Sequence, residues 1–220
     1  MQPAVFITGL GAVSAIGNTV EENIAALQKG ETGIGRISYL STVHQDVFPA
    51  GEVKYSNEEL AAACNWTGTN SRSAMLAFLA AREALVDAGF GDGYPYKTGF
   101  ISATSVGGMD LTENFFPGFL SNKQSGRLRQ VVQHECGAVT DRVARALKIR
   151  DFVTTISTAC SSSANAIMLG ARLIRQGMLD VVVAGGTDAL SKFTLNGFNT
   201  LMILDQQLCQ PFDQQRRGLN

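Results

Sequence analysis

The chain has 220 residues, 45% of them hydrophobic and 17% charged, with a formal net charge of −1. That is a soluble globular composition, long enough for one large domain or two small ones, and its near-neutral charge argues against a nucleic-acid or anionic-membrane surface as main partner. Four scattered cysteines without a C-x-x-C pair suit a reducing compartment, no run reaches membrane-spanning length, and Val5 to Leu10 is too short for a signal sequence, so a cytoplasmic location is expected.

Strand-like and helix-like segments alternate along the chain, the signature of an α/β fold. Val5-Phe6-Ile7-Thr8 is expected to open as a strand and to break at Gly9 and Gly11. Thr19 with Glu22 forms a capping-box pattern for a helix ending near Gly30, and Ser56 with Glu59 repeats it for a short helix toward Ala63. Ser71 to Ala88 predicts a longer helix closed by Gly89, with Arg82, Glu83 and Asp87 on its solvent side. A turn-rich loop, Gly91 to Pro95, leads to a strand over Thr98 to Thr104, which Ser105-Val106-Gly107-Gly108 interrupts.

Leu111 to Ser125 mixes Phe115, Phe116 and Phe119 with Pro117 and Gly118 and predicts a loop or broken helix. Arg127 to Leu147 predicts a helix interrupted near Gly137. The strand Phe152 to Ile156, a helix from Ala164 to Gln176 ended by Gly177, and the strand Val181 to Ala184 make a βαβ unit, expected as a right-handed parallel crossover. That helix is apolar nearly all round before Arg175, so it is expected to be covered on all sides, in a middle layer between sheets, by a further layer that the chain supplies or receives.

Between strand and helix lies Ser157-Thr158-Ala159-Cys160-Ser161-Ser162-Ser163, a lone cysteine among small residues. A helix N-terminus favours a thiolate through its unpaired N–H groups and macrodipole, and small neighbours admit a substrate. Covalent catalysis, and acyl transfer first, is the chemistry to test. Free cysteine is also commonly a small buried hydrophobe, and on local features Cys160 fits that role as well as the nucleophile's. Cys64, Cys136 and Cys209 lack this setting and are expected to be structural. His134-Glu135-Cys136 makes a poor metal site, because residues two apart on a helix point to different faces and no second cluster supplies further ligands.

These residues resemble the β-ketoacyl-acyl-carrier-protein synthases of the thiolase superfamily over nearly the whole chain. Val5 to Ser14 followed by Ile16-Gly17-Asn18 looks like the family's amino-terminal signature, and Gly30-Glu31-Thr32-Gly33-Ile34 follows it. Ala80 to Leu85, Thr158-Ala159-Cys160-Ser161-Ser162, Ala184 to Ala189, and Pro211-Phe212-Asp213 with Arg216 and Gly218 are similar to further motifs of the family.

The resemblance implies a thiolase-like fold, in which two copies of an α/β unit stack as α-β-α-β-α with the nucleophile's helix in the central layer. Residues 1–220 would form the amino-terminal unit, truncated before the carboxy-terminal repeat. It implies a homodimeric acyltransferase of fatty-acid or related biosynthesis that needs no cofactor. Its partner would be an acyl-carrier protein bearing acyl and malonyl phosphopantetheine thioesters. Cys160 would take the acyl chain, and a decarboxylative Claisen condensation with the malonyl thioester would follow. Val106 matches a position lining the acyl pocket, and Phe198 an aromatic near the same tunnel; both also fit plain core roles.

The family's two catalytic histidines, its lysine and its second oxyanion donor lie in a carboxy-terminal half that this sequence does not contain, and His44 and His134 match neither histidine motif. The chain alone is therefore not expected to perform the full reaction. Asn65 to Asn70 replaces a basic cluster often used for carrier docking, leaving Arg72, while Lys123, Arg127 and Arg129 form either a patch or a solvated helix face. One alternative is a non-catalytic subunit resembling the family's chain-length factors, which typically lack the cysteine. Another is a coenzyme-A-primed synthase or degradative thiolase of the same fold.

Overall fold

In the computed structural model, which describes residues 3–91 and 93–220, secondary structure begins with α1, Val20–Lys29. Thr19 caps it by accepting the Glu22 N–H at 3.2 Å, Glu22 returns a bond to the Asn18 N–H at 2.6 Å, and Gly30 closes it in the left-handed conformation. Helix α2, Asn57–Cys64, has the complete reciprocal capping box: Glu59 N–H to Ser56 Oγ, and Ser56 N–H to Glu59 Oε2. There follow α3 (Arg72–Asp87), β1 (Thr98–Ala103), α4 (Met109–Ser121), α5 (Leu128–Val132), α6 (Cys136–Leu147), β2 (Phe152–Ile156), α7 (Ser162–Arg175), β3 (Val181–Gly186) and α8 (Lys192–Thr200).

The chain divides into two compact units. The first comprises the residues up to Gly11 together with Leu60–Ala189. Its sheet is parallel throughout, in the order β2-β1-β3, with Gly99 opposite both Phe152 and Val182. Thus β1 lies between the two strands of the predicted βαβ unit. Ile101 and Ala103 pack with Ala166 and Leu173 of α7 on one face. The alternate residues turn the other way, where Thr155 donates to Thr140 of α6 at 2.7 Å. All six residues of β1 are buried, as a central parallel strand covered on both faces requires.

The second unit comprises Ala12–Glu59 and Leu190–Asn220, around Ile37, Ala50 and Leu195. The buried Glu52 carboxylate gathers the N–H groups of Ser38, Tyr39 and Leu40 at 2.6, 2.9 and 2.7 Å, which turns that loop inward.

Four expectations are corrected. No strand forms at Val5 to Thr8, where Phe6 and Ile7 are 78% and 81% exposed. The segment lies instead on α3: a Cβ on Gly9 or Gly11 would come within 2.1 or 1.9 Å of the carbonyls of Ala84 and Ala80, and the Leu10 N–H bonds Asp87. A cavity of about 360 Å³ separates it from β3. Second, Met109–Ser121 is one helix despite Pro117, and Phe115 stacks on Phe119 one turn away at 5.5 Å. Third, the break before α6 falls at residues 133–135 and not at Gly137. Finally, α7 is not covered all round within this chain: Ile167 and Met168 are 54% and 45% exposed. Among the described residues no helix is long and apolar enough to cross a membrane.

Candidate functional site

The carboxyl ends of parallel strands are where open α/β sheets place their binding crevices, because the backbone diverges there into loops. At that edge β2 runs into a single 3₁₀ turn, Ala159–Ser161, before α7 begins at Ser162. Ala159 takes φ 54°, a left-handed conformation that costs an L-residue energy and bends the chain sharply between strand and helix.

Side chains of the turn lock it from within. Ser162 Oγ accepts the Thr158 N–H at 2.8 Å and donates to Ala159 O at 2.7 Å. Ser161 Oγ donates to Thr158 O at 2.9 Å, and Asn165 reaches back to Thr158 Oγ1 at 2.9 Å. With its hydroxyl neighbours folded inward, Cys160 stands exposed at the tip. A thiol so presented can attack an electrophile and release it again without unfolding anything around it.

The turn after β1 leaves the same edge, since the Thr104 N–H bonds Ile156 O at 3.2 Å and holds it beside the end of β2. Val106, half-buried, belongs to this turn. Gly107 and Gly108 follow it and press on α5–α6 linker backbone so closely that a Cβ would meet the carbonyls of His134 and Gln133 at 2.4 and 2.0 Å. Asp188, just beyond β3, spans to this turn and accepts from Thr104, Ser105 and Val106. Sequence reasoning assigned Asp188 no role. Its partner Thr104 is 84 residues away, a pairing that no local pattern signals.

Cys160 and Val106 thus share one sheet edge of the first unit. Phe198 lies on α8 of the second unit, 38% exposed. His44 Nε2 meets Asn196 Oδ1 at 2.9 Å within the second unit, and His134 Nδ1 meets Thr112 Oγ1 at 3.0 Å in the first. Burial pushes the Cys64 thiol up to about 11, with Arg82 and Arg142 opposing, so it remains protonated at neutral pH. Cys136 and Cys209 are half-buried. Among the described residues no group of three or more His, Cys, Asp or Glu side chains could hold a metal ion. Arg72 is buried, whereas Lys123, Arg127 and Arg129 are exposed beyond α4.

The family model of the β-ketoacyl synthase N-terminal domain matches residues 2–219. Nodulation protein E of Rhizobium sp. (strain N33) is 27% identical over 230 residues, covering 100% of this chain and 55% of that protein. The 3-oxoacyl-[acyl-carrier-protein] synthase 2 of Staphylococcus aureus (strain N315) is 29% identical over 224 residues, covering 97% of this chain and 54% of that one. Among solved structures, the ishigamide ketosynthase/chain length factor superposes with a TM-score of 0.88 at 26% identity, over 99% of this chain and 55% of that one. This chain therefore spans about half the length of the relatives it matches.

Proposed function

This chain belongs to the β-ketoacyl synthase family and has the thiolase-like fold of its amino-terminal half, and from that premise we propose that it supplies the nucleophile of a condensing enzyme, Cys160. The thiolate attacks the acyl thioester of an acyl-carrier protein. Its sulfur bonds the acyl carbon, and the phosphopantetheine thiol leaves with a proton. A malonyl thioester then loses CO₂, the resulting carbanion attacks the acyl-enzyme carbonyl, and the Cys160 thiolate departs from a 3-oxoacyl product. The Cys160 backbone N–H donates to the oxyanion of each tetrahedral intermediate.

Sulfur suits both halves of the cycle, being a good nucleophile toward a thioester and a good leaving group in the condensation. Val106, at the same sheet edge as Cys160, lines the acyl path. Decarboxylation needs donors to the developing enolate, which the family keeps in its other half; this chain provides the acylation half of the site. The assembly is a homodimer served by a carrier protein, and residues 1–220 form its amino-terminal thiolase-like domain.

The observation that carries this reading is the exposed Cys160 on a strained, internally bonded turn at the carboxyl edge of a parallel sheet. Incubation of the full-length protein with an acyl-carrier thioester, followed by peptide mass spectrometry, is expected to place the acyl group on Cys160. A second reading, a chain-length-factor-like subunit, draws on the similarity to the ketosynthase/chain length factor. Absence of label on Cys160 in the complete assembly would favour it and overturn the first.

A further inference from the structure

Asp188 concentrates its hydrogen bonds on a single turn. Oδ1 accepts from Thr104 Oγ1 at 2.5 Å, from the Ser105 N–H at 2.8 Å and from the Val106 N–H at 3.2 Å, and Oδ2 shares the Ser105 N–H at 3.2 Å. Thr104 Oγ1 in turn accepts the Gly107 N–H at 3.0 Å. One carboxylate thereby orders, directly or through one hydroxyl, every N–H from Ser105 to Gly107, an anion held in a nest of consecutive amides.

The clamp is itself fixed on both sides. Before Asp188, the Thr187 N–H bonds Ala103 O at 2.9 Å; after it, the Ala189 N–H bonds the fully buried Ser73 hydroxyl at 3.2 Å. Across the turn, the Gly108 N–H bonds His134 O at 3.1 Å. Thr104 and Gly107 are buried, whereas Asp188 and Ser105 are exposed; the Ser105 and Val106 bonds to Asp188, exposed where hydrogen bonds add little to stability, are better explained by what the turn presents. Val106 is its one sizeable apolar side chain, and the two amides flanking the Ser105–Val106 peptide set the direction of its Cα–Cβ bond.

We infer that Asp188 is a positioning residue: by clamping the Thr104–Gly107 turn it fixes Val106 and so tunes which acyl chain lengths Cys160 accepts. The inference rests on the reading of Cys160 as the acylated nucleophile and of Val106 as part of the acyl path. Loss of a clamp that merely stabilised the fold would slow acylation equally for every chain length. Loss of a clamp that aims Val106 changes the ratio between lengths.

The test uses the full-length protein in its native assembly, with hexanoyl, decanoyl and tetradecanoyl thioesters of a carrier protein as probes and kcat/KM for Cys160 acylation as readout. V106A is expected to change the tetradecanoyl-to-hexanoyl ratio at least tenfold. D188A is expected to change it at least threefold in the same direction, with D188N, which keeps one acceptor oxygen, in between. T104V removes the relaying hydroxyl at constant shape; it should reproduce D188A and carries the test if D188A does not fold. The double variant V106A/D188A should match V106A alone, because the clamp acts through that side chain. The inference is overturned if D188A and T104V lower all three rates by one factor, if the two substitutions prove additive, or if V106A leaves the ratio unchanged. An unlabelled Cys160 in the wild-type protein would instead overturn the condensing-enzyme reading, and this inference with it.

Discussion

A Cβ on Gly186, the last residue of β3, would lie 2.0 Å from Ser163 Oγ in the first turn of α7, and 3.1 Å from Ser163 Cβ. Gly186 there packs on a side chain three residues after Cys160, so the first turn of α7 sits against β3 where β3 carries no side chain. G186A must turn the Ser163 hydroxyl away and ease the contacts with Ser163 Cβ and Ala103 Cβ, at 3.1 and 3.2 Å, by a few tenths of an ångström. It is expected to cost about 1–3 kcal/mol in urea unfolding and to slow Cys160 modification several-fold. Gly185, with nothing within 4 Å of its Cβ position, is the control. G185A is expected to leave the Cys160 rate unchanged.

Exposure orders the four thiols. With iodoacetamide at neutral pH, the exposed Cys160 is expected to react first, the half-buried Cys136 and Cys209 more slowly, and the buried Cys64 only on unfolding. Peptide mapping over a time course checks the order. C160A should abolish the fast phase, and rapid labelling of Cys64 would contradict its burial against Met75.

Cys64 also imposes a pH dependence. Its thiol donates to Met75 O at 3.6 Å, and burial raises its pKa from 9.0 to about 11 against the opposing pull of Arg82 and Arg142. Below pH 9 both folded and unfolded chains keep the proton, and the group adds no slope. Between about 9 and 11 the unfolded chain releases it while the folded chain retains it, so stability falls with rising pH. The melting temperature of C64A, followed from pH 7.5 to 10.5, is expected to decline less steeply than that of the wild type.

What was readable in advance follows the range of the interactions. Local signals succeeded: Thr19, Ser56 and Gly30 marked helix ends because a cap bonds within its own turn. Long-range packing overrode local pattern elsewhere. Val5 to Thr8 has strand composition, but Gly9 and Gly11 bring its continuation onto α3, away from a ladder partner. Pro117 suggested a break, yet it removes only its own N–H from α4, and the Phe115–Phe119 stack spans the position. The strand–helix junction that carries Cys160 was legible from the short β-branched run before it and the helical run after it. The clamp of Asp188 on Thr104 was not, because it joins the ends of two strands 84 residues apart.

Glu52 is the corresponding keystone of the second unit. Oε2 accepts the Ser38 and Tyr39 amides and Oε1 accepts that of Leu40, at 2% exposure. Glutamine at this position turns an NH₂ donor toward backbone donors, and alanine removes the carboxylate acceptor from the Ser38, Tyr39 and Leu40 amides. E52Q is expected to cost about 2–4 kcal/mol and E52A more, by urea unfolding. A loss below about 1 kcal/mol for E52A would mean that water replaces the carboxylate and that the loop does not depend on it.

The exposed side of α7 bears on the layered architecture proposed for the whole protein. Ile167, at 54% exposure, lies about 100° round the helix from Ala166, which with Leu173 meets the sheet, and lines the open cavity beside β3. A charge there is solvated in the 220-residue chain, so I167D should change its stability by less than about 0.5 kcal/mol. In a chain of the relatives' length, a second sheet over α7 would bury the same carboxylate among apolar groups. The substitution should then cost about 3 kcal/mol or more, as the lost burial of isoleucine adds to the desolvation of the charge. Urea unfolding of I167D in both contexts gives the comparison. Equal tolerance would show that no second layer covers this helix, and would remove the five-layer arrangement from the account of this protein.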